Sequence, residues 1–204
     1  MKGTTEPGRA VRAPLHPMVR AAGEEGRLPA WGQPGGRWRD HLLRVADQLG
    51  GWAKELGHAP EECIRWRAAG LFHDLLKGVD ADELRIWARR PWPAPLLHGP
   101  AVAARLRGEG VRDDEFLLAL EHHSVGHVGF GDVGRFLYLA DFLDPGRRFR
   151  RAARARLRER LPAEADEVLL EVVALRLQHE LEARHELLPE SLEFWNRLVG
   201  EAGA

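Results

Sequence analysis

From Trp38 onward the apolar residues recur at spacings of three and four: Leu42, Val45, Leu49, Trp52, Ala53 and Leu56. That period lays them along one face of an α-helix; a half-buried strand needs a period of two. The pattern repeats down the chain. A second helix is expected after Pro60, a residue suited to the first helical position, with Ile64, Ala68, Leu71, Phe72 and Leu75 on its apolar face and an end near Gly78. Asp80 with Glu83 is a capping-box pattern for a short helix through Ile86 and Trp87, ended by Pro91, Pro93 and Pro95. Further helices are expected from His98 to Leu106, Asp113 to about His123, Asp132 to Leu143, about Glu164 to Glu182, and around Leu192 to Leu198. No stretch alternates strictly, no hairpin dipeptide joins β-branched runs, and no period repeats, so the expected fold class is all-α.

Residues 1–37 are dense in Pro and Gly, which predicts an irregular N-terminal arm with at most a short helix near Met18 to Ala22. Residues 38–204 then form one compact helical domain. Apolar runs are short, such as Phe116 to Leu120, far from the roughly 20 residues a membrane span needs. The polar N-terminal sequence has no apolar signal region, and the single cysteine, Cys63, allows no intramolecular disulfide; together these predict a cytoplasmic protein.

A net charge of −1 argues against a general attraction to nucleic acid. One local patch stands out: eight arginines and one glutamate between Arg147 and Arg160, followed by Glu164, Asp166, Glu167 and Glu171. A solvated helix face paired with that acidic stretch is the simpler reading of this run; the other is a surface that binds polyphosphate or RNA.

The chemistry is in the histidines and aspartates. His73 and Asp74 interrupt the apolar sequence Leu71-Phe72-His73-Asp74-Leu75-Leu76, and Asp141 interrupts Leu137-Tyr138-Leu139-Ala140-Asp141-Phe142-Leu143. An unpaired carboxylate is costly to bury, so something must compensate it. His41 lies on the same side of its helix as Val45 and Trp52. Imidazole and carboxylate together suit divalent ions, and a shared cation would neutralise the buried aspartates. Lys77, three residues after Asp74, is expected on the same helical face, where it could meet a phosphate.

The order His41, His73-Asp74, Asp141 resembles the HD superfamily of metal-dependent phosphohydrolases. Leu97-His98-Gly99-Pro100, the segment His122-His123-Ser124-Val125-Gly126, and Ala140-Asp141 running to Asp144-Pro145-Gly146-Arg147 narrow the likeness to its YqeK subgroup. The resemblance spans about residues 38–195 and implies a compact HD-domain helical bundle. Its members are similar to symmetrical bis(5'-nucleosyl)-tetraphosphatases, iron-dependent enzymes that split diadenosine tetraphosphate into two ADP by metal-activated water.

By that resemblance, His41, His73, Asp74 and Asp141 hold one metal, and Asp74 bridges to a second held by His98 and His123. The implied cofactors are two divalent ions, iron foremost, with manganese, cobalt or zinc accepted by the same donors. Asp74 and Lys77 are the catalytic candidates; Lys77, Arg147, Ser124 and Gly99 are the substrate-binding ones. The implied partner is a dinucleoside polyphosphate, with no membrane or nucleic acid; a homodimer is left open. The alternatives are an HD phosphohydrolase of a mononucleotide, deoxynucleoside triphosphate or cyclic dinucleotide, and a non-catalytic RNA-associated module using the arginine run.

The chain departs from the subgroup's pattern in places. His122 replaces an aromatic and competes on paper with His123, but adjacent helical residues point about 100° apart, and alignment selects His123. Asp144 replaces a glutamate and is expected to bear on substrate contacts rather than on the metals. Arg148-Phe149-Arg150-Arg151 departs from an acidic, glycine-containing continuation and alters the substrate mouth. Trp31 and Trp38 are placed as lids of the pocket, whereas Trp52, Trp66 and Trp87 are read as packing residues. His16, His58, His127, His179 and His185 are assigned no chemical role.

Overall fold

The computed structural model describes residues 14–203. Among them ten α-helices follow in order: α1 (Pro17–Glu25), α2 (Gly36–Glu55), α3 (Pro60–Phe72), α4 (Ala81–Ala88), α5 (His98–Gly108), α6 (Asp114–His122), α7 (Asp132–Phe142), α8 (Arg151–Glu159), α9 (Ala165–Glu182) and α10 (Pro189–Ala202). A single 3-10 turn, Ala94–Leu96, precedes α5. No strand occurs among the described residues, as the helical periodicity requires.

Helix α3 is the centre of the assembly. It packs on α1, α2, α6 and α7 and buries Arg65, Trp66 and every residue from Ala68 to Phe72. It can do so because its α2-facing side is built from small residues. A Cβ on Gly70 would stand 2.5 Å from Ala46 Cα and 2.6 Å from Ala46 N, so only glycine lets the two backbones approach this closely. The stripe predicted on α2 is the buried one: Leu42, Val45, Leu49, Trp52 and Ala53 line it, with His41 at its N-terminal end. Trp66 is fully enclosed, its ring 4.9 Å from Phe136 and 5.1 Å from His58. Burying a large apolar side chain contributes about 1.5–3 kcal/mol, so this layer carries much of the core's stability.

One charge is buried with its partners. Arg65, 0% exposed, donates to Asp113 at 2.5 and 2.7 Å, to Glu62 at 2.9 Å and to Glu115 at 3.2 Å. Asp113 Oδ1 also accepts from Phe116 N at 3.1 Å, so the carboxylate that neutralises Arg65 also caps α6. This ties the start of α6 to α3 and fixes where α6 delivers its C-terminal histidines.

The structure differs from the sequence expectations at three places that bear on function. First, α3 ends at Phe72 rather than near Gly78. Leu75 N bonds to Phe72 O, Lys77 N to Asp74 O and Val79 N to Leu76 O, a succession of three-residue turns in place of helix. His73 and Asp74 therefore sit on a tightened turn. Second, α1 packs on α3 and buries Val19 and Ala22, so residues 17–25 share the core; the part of the proposed arm spanning residues 1–13 lies outside the described residues. Third, the helix of the arginine run, α8, is not wholly solvated. Its residue Arg154 is buried, and Arg158 donates to Leu143 O at 2.6 Å; Arg160 binds Glu164 and Glu171 of the acidic stretch, as the pairing reading requires.

No described helix is long and apolar enough to cross a membrane.

Candidate metal centre

Five elements deliver histidine and aspartate to one point. His41 comes from α2, His73 and Asp74 from the turn after α3, His98 from the first residue of α5, His123 from the end of α6 and Asp141 from α7. All six are buried.

The tautomers follow from their partners. His73 Nδ1 stands 2.8 Å from Gly70 O, His98 Nδ1 2.9 Å from Pro95 O, and His123 Nδ1 2.8 Å from Leu120 O. A carbonyl oxygen only accepts, so each of these Nδ1 atoms carries the proton and each Nε2 presents a lone pair. His41 Nδ1 likewise donates to Asp144 Oδ2 at 2.7 Å. The lone pairs then face one another: His41 Nε2 lies 3.2 Å from His73 Nε2, and His98 Nε2 lies 3.1 Å from His123 Nε2.

The carboxylates add to this crowd of acceptors. Asp141 Oδ1 is 3.4 Å and Asp74 Oδ2 3.6 Å from His41 Nε2; His73 Nε2 is 3.9 and 3.8 Å from the same two oxygens. On its other side Asp74 Oδ1 stands 2.8 Å from His98 Nε2 and 3.3 Å from His123 Nε2. Asp74 Oδ1 is also a buried acceptor with no donor. At 2.8 Å the His98 contact would pass for a hydrogen bond, but its Nδ1 proton is already committed to Pro95, so lone pair meets lone pair.

Such an arrangement repels itself unless a cation sits within it. Donors on a common ion at about 2.0–2.2 Å stand about 3–3.6 Å apart, and the separations here, 2.8–3.9 Å, bracket that range. The donors divide into His41, His73, Asp74, Asp141 and Asp74, His98, His123, with one Asp74 oxygen in each group. The residues thus suit two divalent ions sharing a carboxylate, and the helical sequence pairs His73 with Asp74 so that one turn serves both.

Charge states agree with this reading. Burial pushes His73 down to about 3, with His123 and His41 adding to the effect, and burial lowers His98 too. Burial also opposes charge on His41, but hydrogen bonds with Asp141 and Asp144 outweigh it and lift the group to about 9. Asp74 and Asp141 fall well below the usual carboxylate range against their burial, Asp74 chiefly through His73 and Asp141 chiefly through Arg147.

A cavity of about 430 Å³ opens from the centre, walled by Lys77, His98, Ser124, Asp141 and Arg147 on one side and by α9 and the segment after it on the other. Lys77 Nζ binds Asp74 Oδ2 at 2.9 Å, so the tightened turn still brings it to the aspartate. Arg147 donates to Asp141 O at 3.0 Å and forms an ion pair with Asp141 Oδ1. Ser124 Oγ lies 3.1 Å from His123 Nε2. Gly99 is not on the cavity wall. A Cβ there would stand 2.7 Å from Leu120 O and 3.1 Å from His123 Cε1, so its part is to let α5 close on α6.

Other expectations are corrected. Asp144 does not face the cavity as a substrate contact: it accepts from His41 Nδ1, from Arg44 at 2.6 and 2.9 Å, and from Gly146 N at 2.9 Å. Trp38 does lie at the centre, 6.5 Å from the His41 ring with Lys77 Nζ 5.7 Å from its own. Trp31 does not; it stacks with Trp87 on either side of the Arg105 guanidinium, at 4.8 and 4.9 Å. His122 points away from the donors, against the rings of His127 and Trp92. Two residues escaped the sequence reading, Arg44 and Arg176. Arg176 donates to Asp141 Oδ2 and to Ser124 O, both at 3.0 Å, from a helix 35 residues beyond. An abundance of arginine in the sequence hid both, and no local pattern singles them out.

An all-helical domain whose histidines and aspartates converge from five elements on two ion-sized gaps defines a class: helical metal-centre proteins with an open, cation-lined cavity. Within that class, the chain belongs to the HD domain family, whose model matches residues 38–168. It is 30% identical over 118 residues to a Staphylococcus aureus protein named bis(5'-nucleosyl)-tetraphosphatase, symmetrical, covering 53% of this chain and 59% of that one. Proteins of the same name from Halalkalibacterium halodurans and Bacillus subtilis are 25% identical over 142 residues and 34% identical over 90. The matched regions span 75% and 48% of those relatives and 65% and 40% of this chain. A solved structure from Clostridium acetobutylicum, described as a predicted HD superfamily hydrolase involved in NAD metabolism, superposes with a TM-score of 0.72 at 23% identity, over 82% of this chain and 91% of that one. That likeness establishes the shared fold.

Proposed function

We propose that this protein is a metal-dependent hydrolase that cleaves diadenosine tetraphosphate symmetrically into two ADP. The observation that carries the reading is the position of Asp74, one oxygen in each of two donor groups at the end of a cavity lined by Lys77 and Arg147. The relatives named as symmetrical tetraphosphatases support the choice of substrate.

His41, His73, Asp74 and Asp141 would hold one ion, and Asp74, His98 and His123 the other. Two ions in these donor groups would supply an acidified water and a stabilising charge for attack at phosphorus. Iron is the metal this reading takes, although nitrogen and oxygen donors of this kind also accept manganese, cobalt and zinc. The chain's residues do the rest. Carbonyls of Gly70, Pro95 and Leu120 fix three imidazoles in the tautomer that leaves Nε2 free. Arg147 and Arg176 keep Asp141 ionised from opposite sides. Lys77, held at the cavity wall by Asp74, would meet an incoming phosphate and offset the charge that grows on the leaving oxygen. Attack at an inner phosphorus joins the water oxygen to it and breaks its bond to the central bridging oxygen, so one ADP leaves with that oxygen, the other keeps the water oxygen, and the water's protons are released.

An RNA-associated role finds little support in the arginine run. Arg147, Arg154, Arg158 and Arg160 are turned onto the protein, leaving a broken set of exposed cations at Arg148, Arg150, Arg151 and Arg156.

The test is anaerobic hydrolysis of diadenosine tetraphosphate by metal-stripped protein reloaded with ferrous iron. ADP as sole product is expected. ATP with AMP would overturn the symmetrical reading, and no turnover with two ions bound would overturn the substrate.

A further inference from the structure

Arg154 belongs to α8, and only 9% of it is exposed. Its guanidinium carbon stands 4.6 Å from the Phe142 ring centre, and the residue lines the same cavity as Lys77, His98 and Arg147. Two other arginines of that wall have protein acceptors, Arg147 in Asp141 and Arg176 in Asp141 and Ser124 O, and a third, Arg150, is exposed to solvent. Arg154 differs. No carboxylate among the described residues pairs with it, and its Nε is buried without an acceptor.

A guanidinium stays charged at any physiological pH, and burying it unpaired is expensive. Here burial is compounded by two like charges, since Arg147 and Arg176 both press its pKa downward while Asp141 and Asp144 oppose them only in part. The Phe142 ring holds the plane of the fork in place without neutralising it. A preoriented, desolvated cation with free donors in a cavity wall is a site for an anion, and the planar fork suits phosphate oxygens.

We infer that Arg154 is a phosphate-binding residue of the cavity, taking a phosphate group of a nucleoside polyphosphate other than the one that meets Asp74 and its histidines. The inference rests on the proposed polyphosphate substrate but assigns a residue which that reading does not use. Arg147 cannot fill the same part without releasing Asp141, whereas Arg154 has nothing to release.

The test compares ADP with AMP as ligands, by calorimetry on the metal-loaded protein, in wild type, Arg154→Met and Arg154→Lys. Methionine keeps the packing volume and removes the charge; lysine keeps the charge and removes the fork. Wild type is expected to bind ADP more tightly than AMP. Arg154→Met should lose roughly 10- to 100-fold in ADP affinity and no more than about twofold in AMP affinity, with metal content unchanged. Arg154→Lys should lose part of the preference, and it carries the test alone if the methionine variant does not fold. An undiminished ADP preference in either folded variant, an equal loss for both nucleotides, or no ADP binding by wild type would overturn the assignment. Failure to hydrolyse diadenosine tetraphosphate would leave this comparison standing, because ADP and AMP serve here as ligands and not as products.

Discussion

Asp144 Oδ2 accepts a hydrogen bond from His41 Nδ1 at 2.7 Å, and Arg44 grips both oxygens of the same carboxylate at 2.6 and 2.9 Å. An acceptor behind a ligating imidazole fixes its tautomer and raises its basicity, and losing one typically costs 10- to 100-fold in metal affinity. Asp144→Asn is therefore expected to weaken the metal held by the His41 group by about that factor, measured by competition against a chromophoric chelator. Wild-type affinity in the variant would remove Asp144 from the centre.

Asp74 contributes one oxygen to each donor group. Asp74→Ala is expected to leave the purified protein with fewer than two ions per chain and without turnover. Metal analysis showing two ions retained would refute the bridge, whatever happened to activity.

Lys77 touches Asp74 but is absent from both donor groups. Lys77→Ala should therefore keep both ions while lowering turnover roughly 10- to 100-fold, the scale of one lost charge-assisted hydrogen bond. Loss of metal in parallel with activity would make Lys77 a positioning residue for Asp74 instead.

Gly99 separates packing from substrate contact. Alanine normally favours a helix over glycine by about 1 kcal/mol, yet here its Cβ would meet Leu120 O at 2.7 Å. Gly99→Ala is expected to destabilise the fold by about 1–3 kcal/mol, seen as a lower Tm. A raised Tm with weakened nucleotide binding would return Gly99 to the cavity wall.

Much of this protein is legible in its sequence because it is written in local terms. The three-and-four spacing of Leu42, Val45, Leu49 and Trp52 is a property of one helix and survives into the core unchanged. Asp80 and Asp113 cap the helices that follow them, as residues of that type do wherever a helix begins. The apolar surroundings of Asp74 and Asp141 announce that each is buried and must be compensated, and the order of histidines and aspartates announces the family. The end of α3 was less legible: the apolar pattern runs past Phe72, while the backbone tightens into turns there.

What the sequence could not supply is every relationship that depends on how the helices cross. Asp144 and His41 are 103 residues apart, Arg176 and Asp141 35, and nothing in either neighbourhood points to the other. Arg154 reads as one of eight arginines in a basic run, and only the packing of α8 over Phe142 sets it apart from Arg151 or Arg156. Hydrophobic period and ligand order are encoded in the spacing of neighbours along the chain. Which carboxylate backs which imidazole, and which guanidinium is left without a partner, is decided when buried charges from distant helices must satisfy one another in a space that excludes water.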